Sequence, residues 1–221
     1  MRALGGGELL LNPFSLPVTG FVDYSDHLQF LIPLLKEQPY ISDVKLWGNV
    51  ESGICNLDKF RDFVGCFSEN ICDCHLKAFD IPTEQRDTKW LVVQKNDNLK
   101  DKILFCRSGR WQSFSSFWPT MYSFFRDEAC FVGLDSEHAE FETLFGKIEH
   151  QKTNNSIELA SAIAGAKLIV GENGLPLSIA EALKRPIIHG VWKDIPRCIF
   201  VRPELITIRQ ESDLLPFLCK H

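Results

Sequence analysis

Residues 157–189 read IELASAIAGAKLIVGENGLPLSIAEALKRPIIH. Their apolar and glycine pattern divides the stretch into alternating regular elements and turns. The predicted pieces are a helix over 157–164 that ends at Gly165, a strand over 167–170, a turn over 171–174, a helix over 176–184 and a strand over 186–189. Helix, strand, turn, helix and strand in this order predict half of a doubly wound α/β sheet.

The residues on either side of this stretch continue the alternation of β and α. The predicted strands cover 103–106, 129–132, 148–150 and 198–201, and the predicted helices cover 115–125, 135–145 and 213–219. Strands separated by helices favour a parallel sheet with helices on both faces. The fold class predicted for the chain is therefore α/β, with Rossmann-like parallel sheets.

The first 88 residues predict a smaller unit of the same kind. Its expected elements are a strand over 8–11, a helix over 26–36, a strand over 44–47 and helices over 57–64 and 69–79. The polar run 83–88 has the composition of a linker. We therefore expect two domains, a reduced N-terminal Rossmann-like unit over 1–88 and a C-terminal Rossmann-like domain over 89–221.

Composition bounds the classes of function. With 221 residues, 45% hydrophobic and 24% charged, the chain has the composition of an ordinary globular protein. A net charge of −5 argues against a nucleic-acid partner, although a locally basic groove is left open. The eight cysteines are irregularly spaced, and no apolar run is long enough to span a membrane. These features predict reduced thiols and a cytoplasmic protein.

The turn after the strand 167–170 is the first candidate ligand site. A strand that ends in glycine and leads into a helix points backbone N–H groups and a helix N-terminus at one place, which suits a diphosphate. Without a ligand, the glycines would only serve a tight βα connection. The candidate binding residues are Gly171, Asn173, Gly174, Ser178 and, one turn further along the helix, Glu181.

A second candidate follows the strand 103–106, where the sequence reads Arg107-Ser108-Gly109-Arg110. Guanidinium groups hold phosphate with two parallel hydrogen bonds, and a glycine lets the backbone approach closely. We expect Arg107, Ser108 and Arg110 to meet the turn over 171–174 at one edge of the sheet. The alternative is that both arginines lie on a solvent-facing loop.

Three other groups are weaker candidates. Asp135 and its neighbours fit a helix N-terminus better than a ligand site. Cys66, Cys72, Cys74 and His75 lack the paired spacing of a zinc site, and His189 ends a predicted strand near the expected crevice. No nucleophile motif or P-loop is present. We therefore predict no metal and no cofactor, and we assign no catalytic residue.

Residues 159–186 resemble the nucleotide-sugar-binding half of the heptosyltransferase-like glycosyltransferases, which have the glycosyltransferase B fold. That family shows ELAALIAGADLVVG followed by NDSGPMHLAAALGKP. The matching positions are 158–160, 163–166, 168–171, Pro176, 180–183 and Pro186, and the departures are Asn173 for Asp, Gly174 for Ser or Thr, Leu175 for Gly and Ser178 for His. We expect the N-terminal half to be short by one β-α unit compared with that family.

The resemblance implies transfer of a sugar from a nucleotide-diphosphate donor to a hydroxyl acceptor, whose identity stays unknown. The C-terminal domain would bind the donor, and the N-terminal unit would face the acceptor. Because the substituted positions include those that carry the chemistry, two alternatives remain open. One is a non-catalytic nucleotide-binding or protein-interaction module with this fold, and the other is a glycosyltransferase that acts on a nucleic-acid base.

Overall fold

Strands and helices alternate along nearly all of the chain. The computed structural model describes residues 1–12, 25–48, 54–66, 68–107, 113–191 and 196–218. In chain order the elements are β1 (Gly7–Leu11), α1 (Ser25–Lys36), β2 (Ile41–Leu46), α2 (Ile71–Ala78), β3 (Ile103–Cys106), α3 (Phe117–Phe125), β4 (Ala129–Phe131), α4 (Asp135–Phe145), β5 (Glu149–His150), α5 (Ser156–Gly165), β6 (Leu168–Gly171), α6 (Leu175–Ala182), β7 (Ile187–Gly190), β8 (Leu205–Ile208) and α7 (Leu215–Leu218).

Six of the strands form the main sheet, in the order β5-β4-β3-β6-β7-β8, and every neighbouring pair is parallel. Counted within this sheet, the order is 3-2-1-4-5-6, which is that of a Rossmann domain. The chain runs outward in one direction from β3 and in the other from β6. The predicted fold class, α/β with Rossmann-like parallel sheets, is confirmed.

Burial on both faces explains why the central strands read as continuous apolar runs. All four residues of β3 are buried, because α5 and α6 cover one face of the sheet while α3 and α4 cover the other. The second face is aromatic. Its core contains Phe105, Phe117, Trp118, Phe131 and Phe141, whose rings meet at mostly tilted or edge-on angles.

The N-terminal unit is small, as predicted. Its sheet has two parallel strands, β1 and β2, in which Leu9 pairs with Val44. Helix α1 packs on α5 of the main sheet, and Leu34 belongs to the same buried cluster as Ile163. The division into domains at residue 88 stays a prediction, and residues 83–87 form a short 3-10 helix.

A buried serine joins α1 to α5. The hydroxyl of Ser156 accepts a hydrogen bond from the backbone N–H of Leu34 at 3.3 Å and donates one to the carbonyl of Leu31 at 3.3 Å. Ser156→Ala removes both bonds and leaves the two backbone groups facing a methyl group. We expect a loss of about 1–2 kcal/mol in the free energy of unfolding, measured by urea denaturation.

Ser136→Ala is the matched control, because Ser136 is exposed in the first turn of α4. Its free energy of unfolding should change by less than about 0.5 kcal/mol. Equal effects of the two substitutions would show that the bonds of Ser156 do not hold the helices together.

Two predicted elements near the C-terminus were misplaced. The predicted strand over 198–201 is wrong, since Pro196–Cys198 is a 3-10 helix and the last strand is β8. Part of that run contacts the N-terminal unit instead, while Val201 is exposed. The carbonyl of Ile199 accepts from Asn70 at 2.7 Å, and Phe200 lines a cavity there. The predicted helix over 213–219 is a 3-10 turn, Glu211–Leu214, followed by α7.

One further helix was predicted in the wrong form. Residues Leu57–Asp62 form a 3-10 helix rather than an α-helix, although Asn56 caps it as expected. The Asn56 side chain accepts a hydrogen bond from the backbone N–H of Asp58 at 3.0 Å. Across the described ranges, no helix has the length and apolar character needed to cross a membrane.

Candidate functional site

The candidate site lies where β3 and β6 end side by side. These two strands are neighbours in the sheet, and Cys106 is opposite Gly171. The strand order reverses between them, and in open parallel sheets this reversal creates a crevice at the carboxyl ends of the strands. Arg107 and Glu172 are the next residues on the two strands, so the two candidate loops leave the sheet from the same place.

Gly171 allows this close approach. A Cβ at Gly171 would lie 3.1 Å from the carbonyl oxygen of Cys106, tighter than ordinary packing allows. Gly174 is different, because its φ of 171° is extended backbone that any residue adopts and a Cβ would come no closer than 3.7 Å to Pro176. Close packing therefore explains why position 171 is glycine, whereas the backbone and packing at position 174 do not require one.

Arg107 is held in the crevice wall. Its side chain is 5% exposed, its Nη2 donates to Glu140 Oε1 at 3.1 Å, and its guanidinium lies over the ring of Phe145. Its Nη1 is buried and has no hydrogen-bond partner among the residues that the structure describes. Nη1 of Arg107 can therefore still donate a hydrogen bond. Ser108 and Arg110, the other predicted residues of this loop, lie outside the described residues.

Glu172 was missed by the sequence analysis, which treated position 172 as part of a glycine turn. Its carboxylate is buried, and Oε1 accepts a hydrogen bond from the backbone N–H of Ser113. Burial raises the pKa of the Glu172 carboxyl, while Ser113, Trp118 and the charge of Arg107 oppose this shift. A glutamate directly after the glycine that ends a buried strand was the signal available in the sequence.

Several buried polar atoms around this edge have no partner in the described part of the chain. They are Arg107 Nη1, Ser113 Oγ, Trp118 Nε1 and Glu172 Oε2 on the α3 side, and His189 Nδ1 on the α6 side. Buried polar atoms in proteins are nearly always hydrogen-bonded to protein, water or ligand. Their concentration at the carboxyl ends of β3, β6 and β7 distinguishes this edge from the rest of the fold.

Asn173 points to β7 rather than outward. Its Oδ1 lies 2.7 Å from Nε2 of His189, and both side chains are buried. Burial lowers the pKa of His189 to about 4, so the imidazole is neutral at pH 7. The neutral ring donates from Nε2 to the Asn173 oxygen. The sequence made the Asn173 amide a candidate for ligand binding, but its oxygen forms an internal hydrogen bond with His189.

The first turn of α6 contains the other predicted binding residues of this edge, and an anion site there stays a prediction. Gly174 precedes the helix, and the exposed hydroxyl of Ser178 donates to the Gly174 carbonyl at 3.1 Å. Pro176 is within the first turn and has no N–H, so it removes one of the donors that a helix N-terminus normally presents. The N–H groups of Leu175 and Leu177 remain.

Glu181 is placed away from this edge, near the end of α6. Its buried carboxylate accepts from Arg202 Nε at 2.9 Å and also contacts Lys184 Nζ. The pair with Arg202 links α6 to the segment before β8, while the pair with Lys184 is local to the end of the helix. A role for Glu181 in binding a sugar or ribose hydroxyl stays a prediction.

Asp135 shows the structural role that was favoured for it. Its carboxylate pairs with Lys152 at 2.9 Å, and these charges hold the pKa of Asp135 below its usual range. Leu134 rather than Asp135 is the N-cap of α4, and Glu137 accepts from the Leu134 N–H at 3.0 Å. Gly146 ends the helix in a positive-φ conformation, as predicted.

The chain has distant structural relatives. No family model and no curated protein matches it. Its fold is similar to that of the Escherichia coli heptosyltransferase WaaC solved with ADP-2-deoxy-2-fluoro heptose, with 14% identity, a TM-score of 0.43 and coverage of 80% of this chain and 55% of that one. These relatives include glycosyltransferases.

Two more solved structures belong to this group. A glycosyl transferase family 9 protein from Veillonella parvula has 10% identity, a TM-score of 0.47 and coverage of 77% of this chain and 53% of that chain. The E. coli ADP-heptose lps heptosyltransferase II has 12% identity, a TM-score of 0.43 and coverage of 80% and 62%. The chain thus spans little more than half the length of these proteins, and their ligands are not transferred to it.

Proposed function

We propose that the chain binds a nucleotide-diphosphate sugar at the carboxyl ends of β3 and β6 and transfers the sugar to a hydroxyl acceptor. The observation that carries this proposal is the pairing of Cys106 with Gly171 at the reversal of strand order. In this proposal Arg107 and the turn over 171–174 would face the same ligand. The resemblance of residues 159–186 to nucleotide-sugar-binding domains agrees with that placement.

In this proposal the diphosphate is stabilised by electrostatics. The unpartnered Nη1 of Arg107 and the N–H groups of Leu175 and Leu177 offer hydrogen bonds to phosphate oxygens. Ser178 can redirect its hydroxyl, since a neutral serine–carbonyl bond is readily exchanged. As the sugar leaves, these groups would stabilise the charge that develops on the diphosphate.

The acceptor side is proposed only in outline. Residues 1–88 would form the acceptor-facing unit, and residues 89–221 the donor domain. A hydroxyl acceptor needs a base to remove its proton, and no carboxylate or histidine is assigned to this step. Arg107 and the first turn of α6 therefore support donor binding, whereas the acceptor side has no assigned residue.

A non-catalytic nucleotide-binding or interaction module is the second candidate. The contacts of Asn173 favour it, because His189 occupies the amide oxygen at the position where the resembling family has Asp. Glu181 is likewise occupied by two cations. In a non-catalytic module with this fold, we expect these polar side chains to pair with other residues of the protein rather than with a ligand.

Calorimetric titration with ADP-, UDP- and GDP-sugars, followed by detection of released nucleoside diphosphate, separates these functions. Saturable binding of one sugar nucleotide with release of its diphosphate supports the glycosyltransferase. Binding without release in the presence of sugar and polyol acceptors supports the module. If the protein bound none of the nucleotides at millimolar concentration, the glycosyltransferase and the nucleotide-binding module would both be contradicted, and only a protein-interaction module would remain.

Arg107→Met tests the phosphate contact directly. Methionine keeps an apolar chain over Phe145 but removes the guanidinium and its free hydrogen bond. We expect the affinity for the bound nucleoside diphosphate to fall by about 10- to 30-fold, the value of a charge-assisted hydrogen bond. The measurement is the dissociation constant from the same calorimetric titration.

Arg126→Met is the matched control, since Arg126 follows α3 and is largely exposed. It should leave the dissociation constant within about twofold of the unchanged protein. Circular dichroism at the assay temperature checks that each variant is folded. Equal affinities of the Arg107 and Arg126 variants would remove Arg107 from the site.

A further inference from the structure

A second cavity lies far from the crevice, between the N-terminal unit and the main sheet. Its volume is about 380 Å³, within the range of small-molecule sites. Its walls come from β1, α1, α2 and the segments that follow them. Most of the lining is aliphatic or aromatic, including Leu9, Leu35, Leu76, Phe79, Ile81 and Phe200.

The cavity and the crevice are at opposite ends of α6. That helix begins after Gly174 at the crevice, and Glu181 and Lys184 at its other end line the cavity. Eight helical residues span about 12 Å. A ligand in the cavity therefore does not share atoms with a diphosphate at the crevice, so this inference is independent of the proposed function.

The charges around the cavity are positive overall, unlike those of the chain. Arg2, Arg86 and Lys184 line it against one carboxylate, Glu181, while the whole chain carries −5. Asp73 pairs with Arg86, and Glu181 pairs with Lys184. Burial lowers the pKa of His75, which is therefore neutral at pH 7.

Arg2, unlike Arg86 and Lys184, has no counter-charge within the described part of the chain. Its guanidinium donates to the Lys89 carbonyl and the Thr88 hydroxyl, and no carboxylate in the described part of the chain forms an ion pair with it. The turn that carries Arg2 is fixed against β2. A Cβ at Gly6 would lie 2.4 Å from the Tyr40 carbonyl oxygen, and the Gly7 N–H donates to the same oxygen at 3.1 Å.

We propose that this cavity binds a single-chain amphiphile with an anionic headgroup. The apolar tail would lie among the aliphatic and aromatic walls, where it leaves water. The headgroup would lie at the rim beside Arg2, whose guanidinium suits a carboxylate or phosphate oxygen. An apolar pocket with a few polar groups that fix the orientation of the ligand is the usual form of such sites.

Titration calorimetry with decanoate, decanol and decyltrimethylammonium, each below its micelle concentration, tests the ligand class. We expect decanoate to bind with one site, decanol to bind several-fold more weakly and the cationic compound to bind most weakly. Equal binding of all three compounds, or no saturable binding of decanoate, overturns the proposal.

Two variants test the location. Leu76→Trp fills the cavity and should abolish decanoate binding, while Leu144→Trp, on the exposed side of α4, should leave it unchanged. Arg2→Gln is a surface change that leaves the walls intact. It should weaken decanoate about fivefold and leave decanol unaffected.

Three results would contradict this location. One is unchanged decanoate binding by the Leu76 variant, and another is equal loss for decanoate and decanol in the Arg2 variant. The third comes from sedimentation. If the unchanged protein self-associated and Leu76→Trp made it monomeric, the cavity would belong to an interface between copies of the chain and not to an amphiphile.

Discussion

Gly165→Ala is expected to lower the free energy of unfolding by about 3 kcal/mol or more. A Cβ at this position would lie 2.0 Å from the carbonyl oxygen of Asn96 and 2.8 Å from its carbonyl carbon. These are backbone atoms, and the segment that carries them is fixed to α5, since the Asn96 N–H donates to the Ser161 carbonyl at 3.0 Å. The added methyl group must therefore displace the segment or the helix.

Gly48→Ala is the control for this substitution, because no described residue has an atom within 4 Å of a Cβ at Gly48. Alanine there should be neutral or slightly stabilising, since it restricts the unfolded chain. Chemical denaturation of the two variants and the unchanged protein gives the comparison. A Gly165 variant as stable as the Gly48 variant would mean that residues 91–96 do not pack on α5 as described.

Acid is expected to destabilise the protein through His189, by up to about 3 kcal/mol between pH 6.5 and pH 4. The pKa of His189 is lowered from 6.5 to about 4 by burial. Charging the ring would place a proton on Nδ1, which is buried without an acceptor in the described structure. A shift of one pKa unit corresponds to about 1.4 kcal/mol.

The direction follows from proton binding. Between about pH 4 and 6.5 the unfolded state holds the proton and the folded state does not, so protons favour unfolding. The contribution of His189 is complete above pH 6.5, falls as the pH drops and becomes constant below about pH 4. The raised pKa of Glu172 has the opposite effect. The folded state keeps a proton that the unfolded state has already released, so stability falls as the pH rises toward that pKa.

His189→Gln separates this contribution from those of other groups. The variant loses packing at every pH, but its difference from the unchanged protein should shrink by about 3 kcal/mol from pH 7 to pH 4. Contributions of carboxylates are common to both proteins and cancel in the difference. Urea denaturation over this pH range measures it. A difference that stayed constant with pH would show that His189 has the same pKa in the folded and unfolded states.

The local hydrophobic pattern was sufficient to predict most of the C-terminal helices and strands. The predicted helix over 157–164 and the strands over 103–106 and 167–170 correspond to α5, β3 and β6 within one or two residues. These elements are buried on one side or on both, so their apolar periodicity is strong. The run 198–201 is equally apolar, but β7 pairs with β8 instead. In that run the Ile199 carbonyl accepts from Asn70, Phe200 lines the cavity beside the N-terminal unit and Val201 is exposed.

The candidate site was predictable only in its position. Alternating elements place the ends of β3 and β6 at one edge, and the sequence therefore indicated where Arg107 and the turn over 171–174 would lie. The buried carboxylate of Glu172 could not be recognised in this way. Its burial depends on Ser113 and Trp118, which are distant in the chain.

The sequence also could not predict which side chains contact each other across the sheet. Asn173 looked available to a ligand, but its oxygen is bonded to His189 on the neighbouring strand. Which strand is the neighbour depends on the order 3-2-1-4-5-6, and sequence periodicity specifies strands without specifying their order. The same limit applies to Glu181, whose partner Arg202 is 21 residues away.

By itself, the sequence determined the α/β class, the helices and strands of the main sheet except β8, and the glycine that ends α5, because these follow from hydrophobic period and local backbone preference. Only the tertiary structure decided why Gly165 must be glycine, which polar atoms are buried without partners and that a cavity separates the N-terminal unit from the sheet. Each of these depends on contacts between residues far apart in the chain, and local sequence pattern carries no information on such contacts.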